Sequence, residues 1–152
     1  MRSFISGKDT FVILPTGYGK SIIYGILPLM FDYVFGEYFN MNASIYAELY
    51  AGYEGSIAVV VTPLTALMFD QRNRFSTMGL SAEFLGSAQD DPTVTTAVLN
   101  GTVQLVFISP ENLLNNRKLR VMFEKDIYQE KMVALVVDET HCVKLWYVSV
   151  TV

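Results

Sequence analysis

The run Ile57–Val61, "IAVVV", is apolar at every position and is closed off by Thr62 and Pro63. A strand with one solvated face alternates apolar and polar residues; a strand without alternation is buried on both faces, as in a parallel sheet. Phe11–Leu14 and Val133–Val137 have the same character, and Val103–Ile108 matches it apart from Gln104. "SAEFLG", Ser81–Gly86, reads as a fifth, weaker strand.

Helical patterns lie between these runs. Ser21–Val34 is mostly apolar, as in a well-buried helix. Leu64, Leu67, Met68, Phe75 and Met78 fall on one helical face, with Asp70, Arg72, Asn73 and Arg74 mostly outside it. "DDPTVTTAVLNG" has the acidic start, early proline and terminal glycine of a short helix. "PENLLNNRKLRVMFEKDIYQEK" holds one or two helices. Alternating strands and helices predict an α/β domain with a mostly parallel sheet and right-handed crossovers. The tyrosine-rich segment 36–55 does not fit the alternation and reads as an insertion or an extra helix.

A chain of 152 residues supports one domain with a real core. Its net charge of −4 weighs against holding nucleic acid by bulk charge, though not against a local groove. The single cysteine, Cys142, excludes an internal disulfide and fits a reducing compartment. The longest apolar stretch is interrupted by Pro28 and Asp32, so neither a signal peptide nor a membrane span is expected.

The first chemical motif follows the first apolar run. "LPTGYGKS" places Thr16, Gly17, Tyr18 and Gly19 before Lys20 and Ser21, at an expected strand-to-helix junction. Glycines there let backbone N–H groups approach an anion. Lys20 has the reach to meet β- and γ-phosphates, and Ser21 carries the hydroxyl that binds Mg²⁺ in such loops. Leu14 stands where the G-x-x-x-x-G-K-[ST] pattern has its first glycine. A glycine-rich turn with a chance lysine is the plain alternative.

The second motif is "VVDETH". Asp138 and Glu139 end an apolar run, where α/β sheets place their ligands. Asp138 suits Mg²⁺, and Glu139 suits the orienting or deprotonation of a water. Acids decorating a helix start would look the same. His141 is either a satisfied core histidine or a residue coupled to the acids. A metal-ligand role is disfavoured because no Cys/His cluster accompanies it.

Four segments, "LPTGYGKS", "VVVTPLTALMFDQ", "LVFISPENLL" and "ALVVDETHCVKLW", occur in the order and approximate spacing of the first RecA-like domain of RecQ-type DNA helicases. The resemblance runs from about Gly7 to Trp146. It implies a three-layer RecA-like P-loop NTPase fold with a mostly parallel sheet, incomplete at its ends, spanning residues 1–152 with 36–55 as an insertion. It implies ATP and Mg²⁺ as cofactors, bound through Thr16, Gly17, Tyr18, Gly19, Lys20, Ser21 and Asp138. Ser21 and Asp138 would hold the metal, Glu139 would activate water with Lys20 assisting, and His141 would link nucleotide to DNA. Thr62, Pro63, Leu64, Gln71, Ser109 and Trp146 match positions that lie along single-stranded or forked DNA; Pro63 as a strand stop and Trp146 as core are the plain alternatives.

The chain departs from the family pattern in the 36–55 insertion and in Thr140, which replaces the usual alanine. The residues before Gly7 leave no room for the glutamine-bearing segment that reads adenine in the family, and "YVSVTV" does not continue the aromatic-rich loop that Trp146 begins. The implied activity is ATP-dependent 3′-to-5′ unwinding, in the nucleus of a eukaryote or the cytoplasm of a bacterium. It would need a second RecA-like domain beyond these residues, so unwinding by this chain alone is not expected. A non-catalytic nucleotide- or nucleic-acid-binding module, or a truncated gene product, is the competing expectation, and a different P-loop phosphotransferase is a third.

Overall fold

A computed structural model describes residues 4, 6–15, 17–41 and 55–139, for 35–41 the backbone alone. Helices α1 (Lys20–Gly25) and α2 (Leu27–Met41) precede strand β1 (Ile57–Val61). Helix α3 (Thr65–Thr77), strand β2 (Ala82–Leu85), helix α4 (Pro92–Leu99) and strand β3 (Leu105–Ile108) follow. Three short helices, α5 (Pro110–Asn115), α6 (Arg117–Met122) and α7 (Asp126–Lys131), lead into strand β4 (Met132–Val137).

The four strands pair in parallel in the order β2-β3-β1-β4. Val59 pairs with Val106 on one side and Leu135 on the other. All five residues of β1 are buried, which is why "IAVVV" carries no alternation. Ala58 and Val60 enter a core with Tyr24, Leu27, Met68, Phe75 and Phe107. Ile57 and Val59 enter a second core with Val98, Leu119, Met122 and Tyr128 on the opposite face. Helices α1 to α3 therefore cover one face and α4, α6 and α7 the other, the expected three layers.

The helix joints follow from local chemistry. Pro28, which lacks an N–H and crowds the preceding turn, stands at the join where α1 gives way to α2 around Ile26. Asp32 anchors α2 to the sheet: its Oδ1 accepts from the Ser56 N–H at 2.6 Å and its Oδ2 from Gln104 Nε2 at 3.3 Å. Asp91 caps α4 by accepting from the Thr93 N–H at 2.8 Å, with Pro92 in the first turn.

Three expectations need correction or limits. Among the described residues Phe11–Leu14 is not a strand: Phe11 is 71% and Ile13 81% exposed, and no described strand pairs with them. Pairing needs a neighbour about 4.8 Å away. Instead a cavity of about 340 Å³ lies between Asp9–Val12 and the Leu135–Asp138 end of β4. The segment 110–131 contains three helices, not one or two, because Asn116 ends one and caps the next, its Oδ1 accepting from the Lys118 N–H at 3.0 Å. Of the expected insertion, residues 36–41 continue α2, and 42–54 lie outside the described residues.

Candidate active site

The carboxyl ends of parallel strands form one edge of the sheet, and three of the sequence-selected residues sit there. Thr62 follows β1, Ser109 follows β3, and Asp138 follows β4. Backbone bonds extend the ladder by one residue at each: the Thr62 N–H donates to Ile108 O at 3.1 Å, Ser109 to Leu85 O at 3.1 Å, and Asp138 to Val61 O at 2.9 Å.

The glycine-rich loop closes against the start of α1. Gly17 has φ +85° and Gly19 φ +80°, left-handed conformations that disfavour side chains. No atom lies within 4 Å of where a Gly17 Cβ would be, so that side of the loop is open. Lys20 Nζ donates to the Leu14 carbonyl at 3.1 Å, drawing the ammonium back across the loop. Tyr18 is exposed.

Asp138 is met by a residue that motif reading overlooked. Tyr24 Oη donates to Asp138 Oδ2 at 3.5 Å, and Ser21 stands three residues before Tyr24 on α1. Ser21 Oγ in turn accepts from Gln71 Nε2 at 3.1 Å. The available signal was spacing: Ser21 and Tyr24 stand three apart and share a helix face. Lys20, Tyr24 and Asp138 line the same cavity, opposite Phe11 and Val12.

Burial raises the Tyr24 phenol pKa to about 12; the Ser21 hydrogen bond works against this and the Asp138 charge adds to it. Burial also raises the phenol of Tyr128, whose Oη donates to Val98 O at 2.6 Å. A phenol whose folded pKa is raised holds its proton more tightly when folded. Its contribution is complete below the unfolded value near pH ~10 and is lost as pH climbs towards the folded value. The urea midpoint should therefore fall between about pH 10 and pH 12, and the fall should shrink in Tyr128→Phe. An unchanged pH profile in that variant would exclude Tyr128 as a cause.

Asp138 and Glu139 differ in setting. Asp138 is tied to the ladder, whereas Glu139 has φ 59°, uncommon for a residue with a side chain. The Glu139 N–H donates to Asp138 Oδ1 at 3.1 Å, so the chain turns sharply at the acids.

The residues expected along nucleic acid divide into two kinds. Leu64 is exposed and Pro63 partly so, next to the start of α3. Thr62, Gln71 and Ser109 are buried. Ser109 Oγ caps α5 by accepting from the Asn112 N–H at 3.2 Å. Gln71 is turned to Ser21, not outward. Thr62 Oγ1 and Gln71 Oε1 are buried without a hydrogen-bond partner among the described residues. Thr16, His141 and Trp146 lie outside the described residues.

The donor chemistry fits a magnesium nucleotide. A serine hydroxyl and a carboxylate are hard oxygen ligands of the kind Mg²⁺ takes together with phosphate oxygens. One ammonium stands beside a glycine loop open to an anion. Among the described residues, no cluster of three His, Cys, Asp or Glu side chains offers an all-protein metal cage.

Comparison with known proteins identifies the family of the chain. Residues 1–150 match the family model of the DEAD/DEAH box helicases. The chain is 28% identical over 149 residues to the ATP-dependent DNA helicase RecQ of Haemophilus influenzae, covering 96% of this chain and 20% of that protein. It is 30% identical over 142 residues to RecQ of Bacillus subtilis, covering 91% and 19%. It is 29% identical over 149 residues to the ATP-dependent helicase SGS1 of Saccharomyces cerevisiae, covering 96% and 9%. The chain thus spans a fifth or less of the length of these relatives. With a glycine loop, a lysine and a strand-end aspartate at one end of a parallel sheet, it belongs to the DEAD/DEAH box helicase family.

Proposed function

We propose that this chain is the ATP-binding part of a RecQ-type, ATP-dependent 3′-to-5′ DNA helicase. One observation carries the reading: Tyr24, three residues after Ser21 on the helix that follows the phosphate loop, donates to Asp138, 114 positions away, at the carboxyl end of the sheet. A chance glycine turn would not bring a lysine, a serine hydroxyl and a strand-end carboxylate together.

In this reading Gly17 and Gly19 leave the loop backbone free to meet phosphate oxygens, and Thr16 and Tyr18 flank that contact. Lys20 leaves the Leu14 carbonyl for the β- and γ-phosphates. Ser21 and Asp138 hold Mg²⁺, which when bound offsets the negative charge of the phosphates. Glu139 orients and deprotonates water, and His141 couples that step to the DNA. Thr62, Pro63, Leu64, Ser109 and Trp146 follow a single strand, with backbone contacts and aromatic stacking replacing bulk positive charge. Gln71 belongs to the same sequence motif but acts from inside, through Ser21. Unwinding would require a second RecA-like domain supplied beyond these residues. The compartment would be the one that holds the DNA, nuclear in a eukaryote. Among the described residues no helix is long and apolar enough to cross a membrane.

The test is a titration of the chain with a fluorescent ATP analogue in Mg²⁺, wild type against Lys20→Ala. Charge-assisted hydrogen bonds contribute about 1.5–3 kcal/mol, so the variant should bind roughly 10- to 100-fold more weakly. Binding indifferent to Lys20 would overturn the reading. Binding without hydrolysis would favour the non-catalytic module.

A further inference from the structure

Two hydrogen bonds converge on α1. Gln71 Nε2–H, from α3, donates to Ser21 Oγ at 3.1 Å. Tyr24 Oη donates to Asp138 Oδ2, at the end of β4, at 3.5 Å. Ser21 and Tyr24 stand three residues apart on α1, so one short helix carries both bonds on one face. A hydroxyl held by a donor keeps a defined lone-pair direction, which a freely rotating one does not.

Tyr24 and Gln71 are both held by the core. Tyr24 is 5% exposed and packs edge-on to Phe107 with centroids 6.2 Å apart. Gln71 is 9% exposed and sits one helical turn before Phe75, whose ring stacks on Phe107 at 6.4 Å. Among the described residues the buried Gln71 Oε1 has no hydrogen-bond partner. Keeping a costly unmet acceptor in the interior, where an aliphatic side chain would pack, is accounted for by the other end of the amide and its bond to Ser21.

We propose that Tyr24 and Gln71 are positioning residues of the nucleotide site: Gln71 orients the Ser21 hydroxyl and Tyr24 holds the Asp138 carboxylate, so that the two present one preformed pair to a magnesium nucleotide. The proposal rests on the nucleotide-site reading and adds two residues that touch neither phosphate nor metal. It assigns them to the metal-dependent part of nucleotide affinity and not to the phosphate loop.

The experiment uses the whole chain and a fluorescent ATP analogue, titrated once with Mg²⁺ and once with EDTA. The ratio of the two dissociation constants is the Mg²⁺ response. Tyr24→Phe keeps the buried ring, and Gln71→Met keeps the length and burial of the side chain, so both retain the fold. Each should leave affinity in EDTA within about twofold of wild type and reduce the Mg²⁺ response about three- to tenfold. The double variant should lose no more than the larger single loss, because displacing either ligand already undoes the preformed pair. An unchanged Mg²⁺ response, an equal fall in EDTA, or losses that multiply in the double variant would each overturn the proposal. Lys20→Ala separates the two levels. If wild type and Lys20→Ala bind alike, the nucleotide reading fails and the proposal falls with it. If Lys20→Ala is weak while Tyr24→Phe keeps its full Mg²⁺ response, the positioning role alone fails.

Discussion

Phe75→Ala is expected to lower the unfolding free energy of this chain by about 3–5 kcal/mol, a large part of the stability typical of one domain. The ring is 2% exposed and belongs to the core beneath α1 to α3. It lies against Phe107, and against Tyr24 with centroids 6.3 Å apart. It also fills the space that Gly25 leaves: a Cβ on Gly25 would stand 2.1 Å from Phe75 Cε1. The glycine admits the ring, and the ring locks α3 to α1. Truncation would leave a void bounded by two elements and a strand, with little freedom to collapse. Phe69, on the same helix, supplies the comparison. It is about half exposed and meets only the edge of Phe84, so Phe69→Ala should cost far less. Urea unfolding of the two variants measures the difference, and equal shifts of the midpoint would refute this account of α3.

The same geometry explains which parts of the fold were legible in the sequence. Burial on both faces leaves a direct trace, as in "IAVVV", because every position of β1 is dry. Strand pairing leaves none. Phe11–Leu14 is as apolar as β1, but apolarity records a preference for burial and not the presence of a neighbour, and the free edge of β4 is separated from it by a cavity. Leu135 on that edge is 54% exposed for the same reason. Helix breaks were legible where a side chain caps visibly, as at Asp91. They were not at Lys125, which precedes α7 with no side-chain cap bond.

The site divides along a similar line. Gly17, Gly19, Lys20 and Asp138 were legible because their chemistry is local: positive φ, a long ammonium, a carboxylate at a strand end. Ser109-Pro110-Glu111 reads equally well as a helix cap, and in the structure the Ser109 hydroxyl is a cap. Tyr24 and Gln71 were not legible as site residues, since a tyrosine and a glutamine on two helices acquire meaning only when the fold sets one against Asp138 and the other against Ser21.

With Glu139 as the proposed water-activating base, Glu139→Gln is expected to reduce ATP turnover by about 10²- to 10⁴-fold, the range for loss of a positioned general base, while nucleotide affinity stays within a few-fold of wild type. The backbone motivates separating the two acids. Asp138 is the last residue held by the ladder, and its carboxylate is engaged by Tyr24 and by the Glu139 N–H. That suits a fixed ligand. Glu139 is the first residue off the ladder, in a left-handed conformation that costs energy unless the surroundings impose it. The turn keeps the second carboxylate from repeating the setting of the first. Asp138→Asn should accordingly weaken Mg²⁺-dependent binding itself, whereas Glu139→Gln should bind and stall. The glutamine is isosteric and keeps the turn, so a loss of turnover reports the missing base and not a collapsed loop. The measurement is ATP hydrolysis with single-stranded DNA present, beside nucleotide titration of the same preparations. If Glu139→Gln lost binding as Asp138→Asn does, the two acids would form one metal site, and the water-activating role would pass to another residue.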